Sequence, residues 1–234
     1  MRNTANISRG EQRQPADPIG AARAGGWFSR ALLVIGRLGL AYLFFTQLFW
    51  KLPPSFGCGD DFRFTTANSD GSLARTGGLC DWIGIESVWA LRPRSLFGVD
   101  LDGRGGSDIA LPIGPLARAN GVFLDGFVKP NIRWFGWVIW GSEAFIFVSL
   151  FLGLFSRLGA LVGIGISAQL VIGLAGISDP YEWEWGYLTI FFLAITLTGI
   201  ASGRFLGLDT LLRPRLFVAA ERGNRAARFA LLLT

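Results

Sequence analysis

The stretch that most constrains this chain runs from Trp134 to Ala160, WFGWVIWGSEAFIFVSLFLGLFSRLGA, an apolar block of membrane length with one carboxylate, Glu143, near its middle. About 20 apolar residues at about 1.5 Å each cross a hydrocarbon core, and an ionised group at that depth is costly unless it is paired or protonated. Glu143 therefore requires a partner, a proton or a chemical role.

Similar blocks lie at Ala31–Trp50, at Ala160–Ile177 and at Tyr187–Ser202. With 51% hydrophobic residues gathered into such blocks, the chain reads as an integral membrane protein rather than a water-soluble domain. The turn at residues 156–159 is so short that the blocks it joins must be antiparallel neighbours. Gly163, Gly165, Gly173 and Gly176 would let helices approach closely.

Charge sets the orientation. Arg2, Arg9, Arg13, Arg23 and Arg30 outweigh Glu11 and Asp17 before the first block, and Arg204, Arg213, Arg215, Arg222, Arg225 and Arg228 outweigh Asp209 and Glu221 after the last. Both ends therefore belong in the cytoplasm. Basic tails beside spans are explained by topology and anionic lipid, so nucleic acid is not expected as a partner. The connection at 51–133 is charge-balanced, and SDPYEWEWGY is acidic without a base, which puts both outside. Trp50, Trp134, Trp137, Trp183 and Trp185 fall at the same outer ends, where interfacial tryptophan belongs.

The expected fold is an all-α membrane protein, a four-transmembrane-helix bundle with both termini cytoplasmic and a long extracytoplasmic loop between helices 1 and 2. It divides into a cytoplasmic arm at 1–30, a membrane domain at 31–203 and a basic tail at 204–234. The spans are expected at about 31–50, 134–155, 160–177 and 187–202, with the outer loop at 51–133. The arm lacks the features of a cleavable signal peptide. The tail suits short helices on the inner leaflet or a partner-binding segment.

In the outer loop, Lys51 marks the interface and Pro53–Pro54 stop the first helix. Cys58 and Cys80 on the oxidising side favour a disulfide over two free thiols. Asp100, Asp102 and Asp108 in DLDGRGGSD hint at a calcium loop, but Arg104 and Leu111 stand where oxygen ligands belong, so an Asp/Gly turn fits better. Residues 115–129 place Leu116, Val122, Phe123, Phe127 and Val128 at helical spacing, with Arg118, Asp125 and Lys129 at polar positions. A surface helix ending at Pro130–Asn131 is expected there.

The chain contains no His and only two Cys, which removes the usual ligands of haem, chlorophyll and iron–sulfur clusters and the His-containing copper, zinc and di-iron sites. No metal centre and no covalent cofactor is expected. Helical rise puts Glu143 and Gln169 about 15 Å into the membrane, with Tyr42 and Thr196 near the same level, so the four could form a polar midplane layer. Arg37, about 8 Å closer to the cytoplasm by the same rise, either snorkels to headgroups or pairs with another helix, Glu143 being within partial reach. Glu143 is either a packing carboxyl or a group that handles protons or contacts a quinone. Glu182 and Glu184 form an acidic rim beside Trp183, Trp185 and Tyr187, where a quinone headgroup could rest or a periplasmic partner dock.

These pieces together resemble the DoxX family, in particular forms related to the DoxD membrane subunit of thiosulfate:quinone oxidoreductase. The resemblance is carried by GRLGLAYLFFTQLFWKL, FLDGFVKPN, WGSEAFIFVSLFLGLFSRLGAL and YEWEWGYLTIFFLAITLTGIASGRFLGLD, which cover most of the chain from Arg37 to Asp209. The turn Gly153–Arg157 and the ending Gly203–Asp209 are its most specific parts. The chain departs from the more familiar Gly-Glu in reading Gly-Ser-Glu at Glu143. The resemblance implies that Arg37, Lys51, Glu143, Arg157, Trp183, Glu184, Arg204 and Asp209 occupy recurrent polar and aromatic positions. It further implies a bacterial or archaeal cytoplasmic membrane, a quinone as substrate, thiosulfate or another small reduced sulfur species as donor, and a DoxA-like second subunit or other membrane-complex subunits as partners. A non-catalytic accessory or assembly subunit of a larger respiratory or photosynthetic complex is the alternative. A transporter is a third reading, without an inverted repeat to support it.

Overall fold

The computed structural model describes residues 26–101, 109–177 and 184–234. The first helix, α1 (Gly26–Gln47), buries Arg37, Leu40, Ala41 and Phe44, a stripe at helical spacing. Its other side exposes Leu32, Ile35, Leu38 and Tyr42, which is equally apolar apart from one hydroxyl. The same holds for α4 (Ile132–Leu152), which exposes Trp134, Trp137, Val138, Phe145, Val148 and Phe151. Helices that are apolar on every side belong in lipid or in a large core. Helix α1, the helical run Gly114–Leu152 and α5 (Ser156–Leu174) are each long and apolar enough to cross a membrane, and α6 (Glu184–Ile200) is a shorter apolar helix of 17 residues.

These helices pack α1 on α4, α4 on α5 and α5 on α6. Their shared core joins Leu40, Ala41 and Phe44 of α1 to Ile146 and Leu150 of α4, Ala160 of α5, and Ala194 and Leu197 of α6. One end of the bundle is locked by polar groups. Helix α4 stops at Gly153, whose φ of 61° is left-handed, and Leu154 N–H returns to the Ser149 carbonyl at 2.9 Å. A Cβ on Gly153 would lie 2.6 Å from Arg37 Nη1, so glycine is required by packing as well.

The next helix is capped from far along the chain. Asp209 Oδ1 accepts from Phe155 N–H at 2.7 Å, and Oδ2 accepts from Ser156 N–H at 3.0 Å and Ser156 Oγ at 2.8 Å. A carboxylate on orphan amides at a helix N-terminus satisfies both the hydrogen bonds and the dipole. Arg37 donates through Nη1 to the Ser202 and Phe205 carbonyls and through Nη2 to the Leu206 carbonyl, all at 3.0–3.1 Å. The guanidinium thus ties α1 to the 3-10 turn Ser202–Arg204 and the residues just after it, and Glu143 is not its partner.

The connection between α1 and α4 is the main departure from an all-α chain. It contains two small antiparallel hairpins, β1 (Thr66–Ala67) with β2 (Leu73–Ala74) and β3 (Ser95–Val99) with β4 (Ile109–Pro112). Between them lies α2 (Gly78–Ala90), most of which is buried. The Cys58–Cys80 disulfide forms, with an S–S bond of 2.05 Å, and anchors the first turn of α2 to the segment that leaves α1. Arg94 donates to the Gly173 carbonyl at 2.9 Å, to Ile172 at 3.3 Å and to Ala175, a cation on the C-terminal carbonyls of α5. Burial lowers the pKa of Arg94, while Glu86 and Glu184 act to raise it. Asp100 lies at the end of β3, whereas Asp102, Arg104 and Asp108 fall outside the described residues.

Pro130 does not end the helix that precedes it. Helix α3 (Gly114–Phe123) continues through a π-helical turn, Leu124–Val128, and a 3-10 turn, Lys129–Asn131, straight into α4. A proline inside a helix clashes with the carbonyl four residues back, and a wider turn just ahead of it removes that conflict. Past the bundle, α7 (Asp209–Glu221) and α8 (Arg225–Leu233) pack on each other.

Candidate functional site

Toward the end of the bundle away from Arg37, the four helices enclose a chamber of about 420 Å³. Phe44, Gln47 and Trp50 line it from α1 and the turn after it, and Phe135, Ile139, Ser142 and Glu143 from α4. Gly165 and Gln169 of α5 and Tyr187 and Ile190 of α6 complete the wall, while Leu79, Trp82, Ile83 and Glu86 of α2 close the side facing the connection. The Trp50 and Trp82 rings stand 5.6 Å apart and the Trp82 and Tyr187 rings 6.3 Å apart, giving one wall a run of aromatic rings. A volume of this size, apolar with a few polar groups, suits a small lipophilic molecule.

Two polar groups interrupt the apolar lining. In the first, Lys51 Nζ donates to Glu143 Oε1, with side chains only 5% and 4% exposed. The Lys51 ammonium also sits 4.5 Å from the Trp50 ring centroid, and Trp50 Nε1 donates to Gln47 Oε1 at 2.9 Å. Among the described residues no donor reaches Glu143 Oε2. In the second group, Glu86 Oε2 accepts from Gln169 Nε2 at 2.5 Å and from Asn120 Nδ2 at 3.2 Å. The close fit of α2 on α5 depends on Gly173, because a Cβ there would lie 2.2 Å from Glu86 Oε2.

The midplane layer expected from depth alone does not assemble. Glu143 and Gln169 share the chamber, but Tyr42 is 67% exposed on the outer face of α1. Thr196 is also exposed and bonds back to the Phe192 carbonyl of its own helix at 2.9 Å. Equal depth does not fix the direction in which a side chain points. Lys51, expected at an interface, is buried instead and takes the place beside Glu143 considered for Arg37.

The aromatic and acidic cluster is likewise divided. Of its members only Tyr187 lines the chamber. Glu184 Oε1 accepts from Phe97 N–H at 2.7 Å, and Trp185, half-exposed, contacts the Phe97 ring at 6.1 Å, so both are occupied by the β3–β4 hairpin. Trp183 and Glu182 lie outside the described residues.

Arg157 donates to the Thr198 carbonyl at 3.2 Å and Arg204 to the Thr234 carbonyl at 3.0 Å. Arg204 is held at about 10 by burial first, then by Arg213 and Arg157, with Asp209 opposing. It remains a cation.

No family model, no curated protein and no solved structure matches this chain. What the chamber can do therefore follows from its own residues. Among the described residues no group of three or more His, Cys, Asp or Glu side chains could hold a metal ion. Glu86 and Trp82 are among the lining residues that sequence reasoning missed. Their signal was present in GLCDWIGIESVWA, where a carboxylate follows Ile, Gly and Ile in an apolar helix-length segment.

Proposed function

We propose that this chain is a quinone-binding membrane subunit, with four spans and both termini cytoplasmic, serving quinone-linked electron transfer as the DoxX and DoxD resemblance implies. The chamber carries this reading, since it is apolar, partly walled by aromatic rings and entered by a buried Lys51–Glu143 pair. A quinone headgroup is a flat ring with polar oxygens at its ends and a lipophilic tail, and it matches such a lining. In this reading Glu143 is the group that meets the ligand and handles protons. A small reduced sulfur compound such as thiosulfate is the donor, acting on the outer face or in a partner subunit. Of the residues that carry the resemblance, Lys51 and Glu143 meet at the chamber, and Arg37, Gly153, Gly203 and Asp209 meet in the polar lock at the other end of the bundle.

The test is a titration of the purified full-length protein in lipid nanodiscs with a decyl-substituted benzoquinone, followed by quenching of tryptophan fluorescence, since Trp50 and Trp82 line the chamber. Saturable quenching is expected, with affinity reduced at least about tenfold in Gly165→Phe, which fills open space at a position with no atom within 4 Å of its Cβ. Unsaturable quenching unchanged by that variant, in a protein that co-purifies stoichiometrically with cofactor-bearing chains, favours the accessory-subunit reading instead.

A further inference from the structure

The two oxygens of Glu143 are not equivalent. Lys51 Nζ holds Oε1, whereas Oε2 meets no donor among the described residues although the side chain is 4% exposed. A buried acceptor left open is costly, and a ligand that donates to it recovers the loss. Because Lys51 already balances the carboxylate, the missing donor need not be charged. A cationic donor would also have to shed its hydration among Leu43, Phe44, Phe135 and Ile139. A neutral hydroxyl sheds its hydration at far lower cost, and the rings of Trp50, Trp82 and Tyr187 favour a flat aromatic body behind it.

We propose that the chamber is selective for a lipophilic aromatic ligand bearing a ring hydroxyl, with Glu143 Oε2 accepting its O–H, so that the hydroquinone form binds in preference to the quinone. This inference rests on the chamber being the quinone site. A quinone offers only carbonyl lone pairs to a carboxylate oxygen, whereas a hydroquinone offers a hydrogen. Lys51 is a positioning residue, because it fixes which oxygen of Glu143 remains open. Tenfold preference for the reduced form raises the reduction potential of the bound two-electron couple by about 30 mV relative to the free couple.

The experiment is an anaerobic titration of the full-length protein in nanodiscs with the decyl benzoquinone and, separately, its chemically reduced form. Wild type is expected to bind the reduced form at least about tenfold more tightly. In Glu143→Gln, Lys51 retains the amide oxygen and turns the NH2 group toward the ligand, so the preference should reverse. Should that variant not fold, a para-alkylphenol and its methyl ether titrated against wild type decide the point, the phenol binding about tenfold tighter. Equal affinity for both redox forms, or tighter binding of the quinone, overturns the hydroxyl preference and leaves the chamber as the quinone site. If neither form binds saturably, the chamber reading fails and the preference fails with it.

Discussion

Replacing Lys51 and Glu143 singly and together tests whether they act as one buried unit. In Lys51→Met, Glu143 stays buried with neither oxygen bonded to the ammonium that balanced it. Removing one partner of a buried pair typically costs about 3–5 kcal/mol. Glu143→Gln should cost less, because the amide oxygen still accepts from Lys51 and the Trp50 ring still faces the ammonium at 4.5 Å. Cation–π contact of that kind supports about 0.5–2 kcal/mol. The double variant Lys51→Met, Glu143→Met removes both charges and retains side-chain length, so it should fall within about 1 kcal/mol of wild type. Unfolding in mixed micelles, titrated with a denaturing detergent and followed by circular dichroism, gives the three differences, and Glu143→Met measured beside them closes the cycle that yields the coupling. Single-variant losses that simply add in the double variant would refute the pairing, as would a loss below about 1 kcal/mol for Lys51→Met.

Three further outcomes follow from the packing. Arg37→Lys loses the planar fork that reaches the Ser202, Phe205 and Leu206 carbonyls, and should cost at least about 3 kcal/mol in the same unfolding assay. Gly173→Ala drives a Cβ into Glu86 and should lower both the melting temperature and quinone affinity, whereas Gly165→Ala, which meets open space, should leave the melting temperature unchanged. Replacing Cys58 and Cys80 by Ser removes a crosslink spanning 22 residues and should lower stability by roughly 3 kcal/mol, read as a melting shift that a reductant reproduces in wild type.

The apolar helices of the bundle and the need of Glu143 for a partner were legible because both depend on local composition. The identity of that partner was not. Depth arithmetic pointed inward to Arg37, while the regular α1 helix ends at Gln47 and the turn that follows returns Lys51 into the bundle. Tyr42 and Thr196 were misjudged for a related reason. In a helix apolar on every side, sequence periodicity carries no record of which face is inward, so two residues at equal depth can point a third of a turn or more apart. Glu86 was overlooked because the connection was read as lying outside the core, whereas α2 packs against α5 and presents Glu86 to Gln169. By contrast, the Gly153–Arg157 turn and the Gly203–Asp209 ending, which carried the resemblance as separate motifs, meet through Asp209 and Ser156 in one polar lock. A Cβ on Gly203 would lie 2.3 Å from Asp209 Oδ2, a constraint invisible until the two ends are brought together.

The most direct test of the chamber as a quinone site is photolabelling of the intact protein in its native membrane with an azido-substituted quinone, followed by peptide mapping. Labels that fall on residues 43–51, 82–86, 135–143 and 165–170, and that excess unlabelled quinone suppresses, are the expected result. Labels spread over the exposed apolar faces of α1 and α4, and insensitive to competitor, would contradict it.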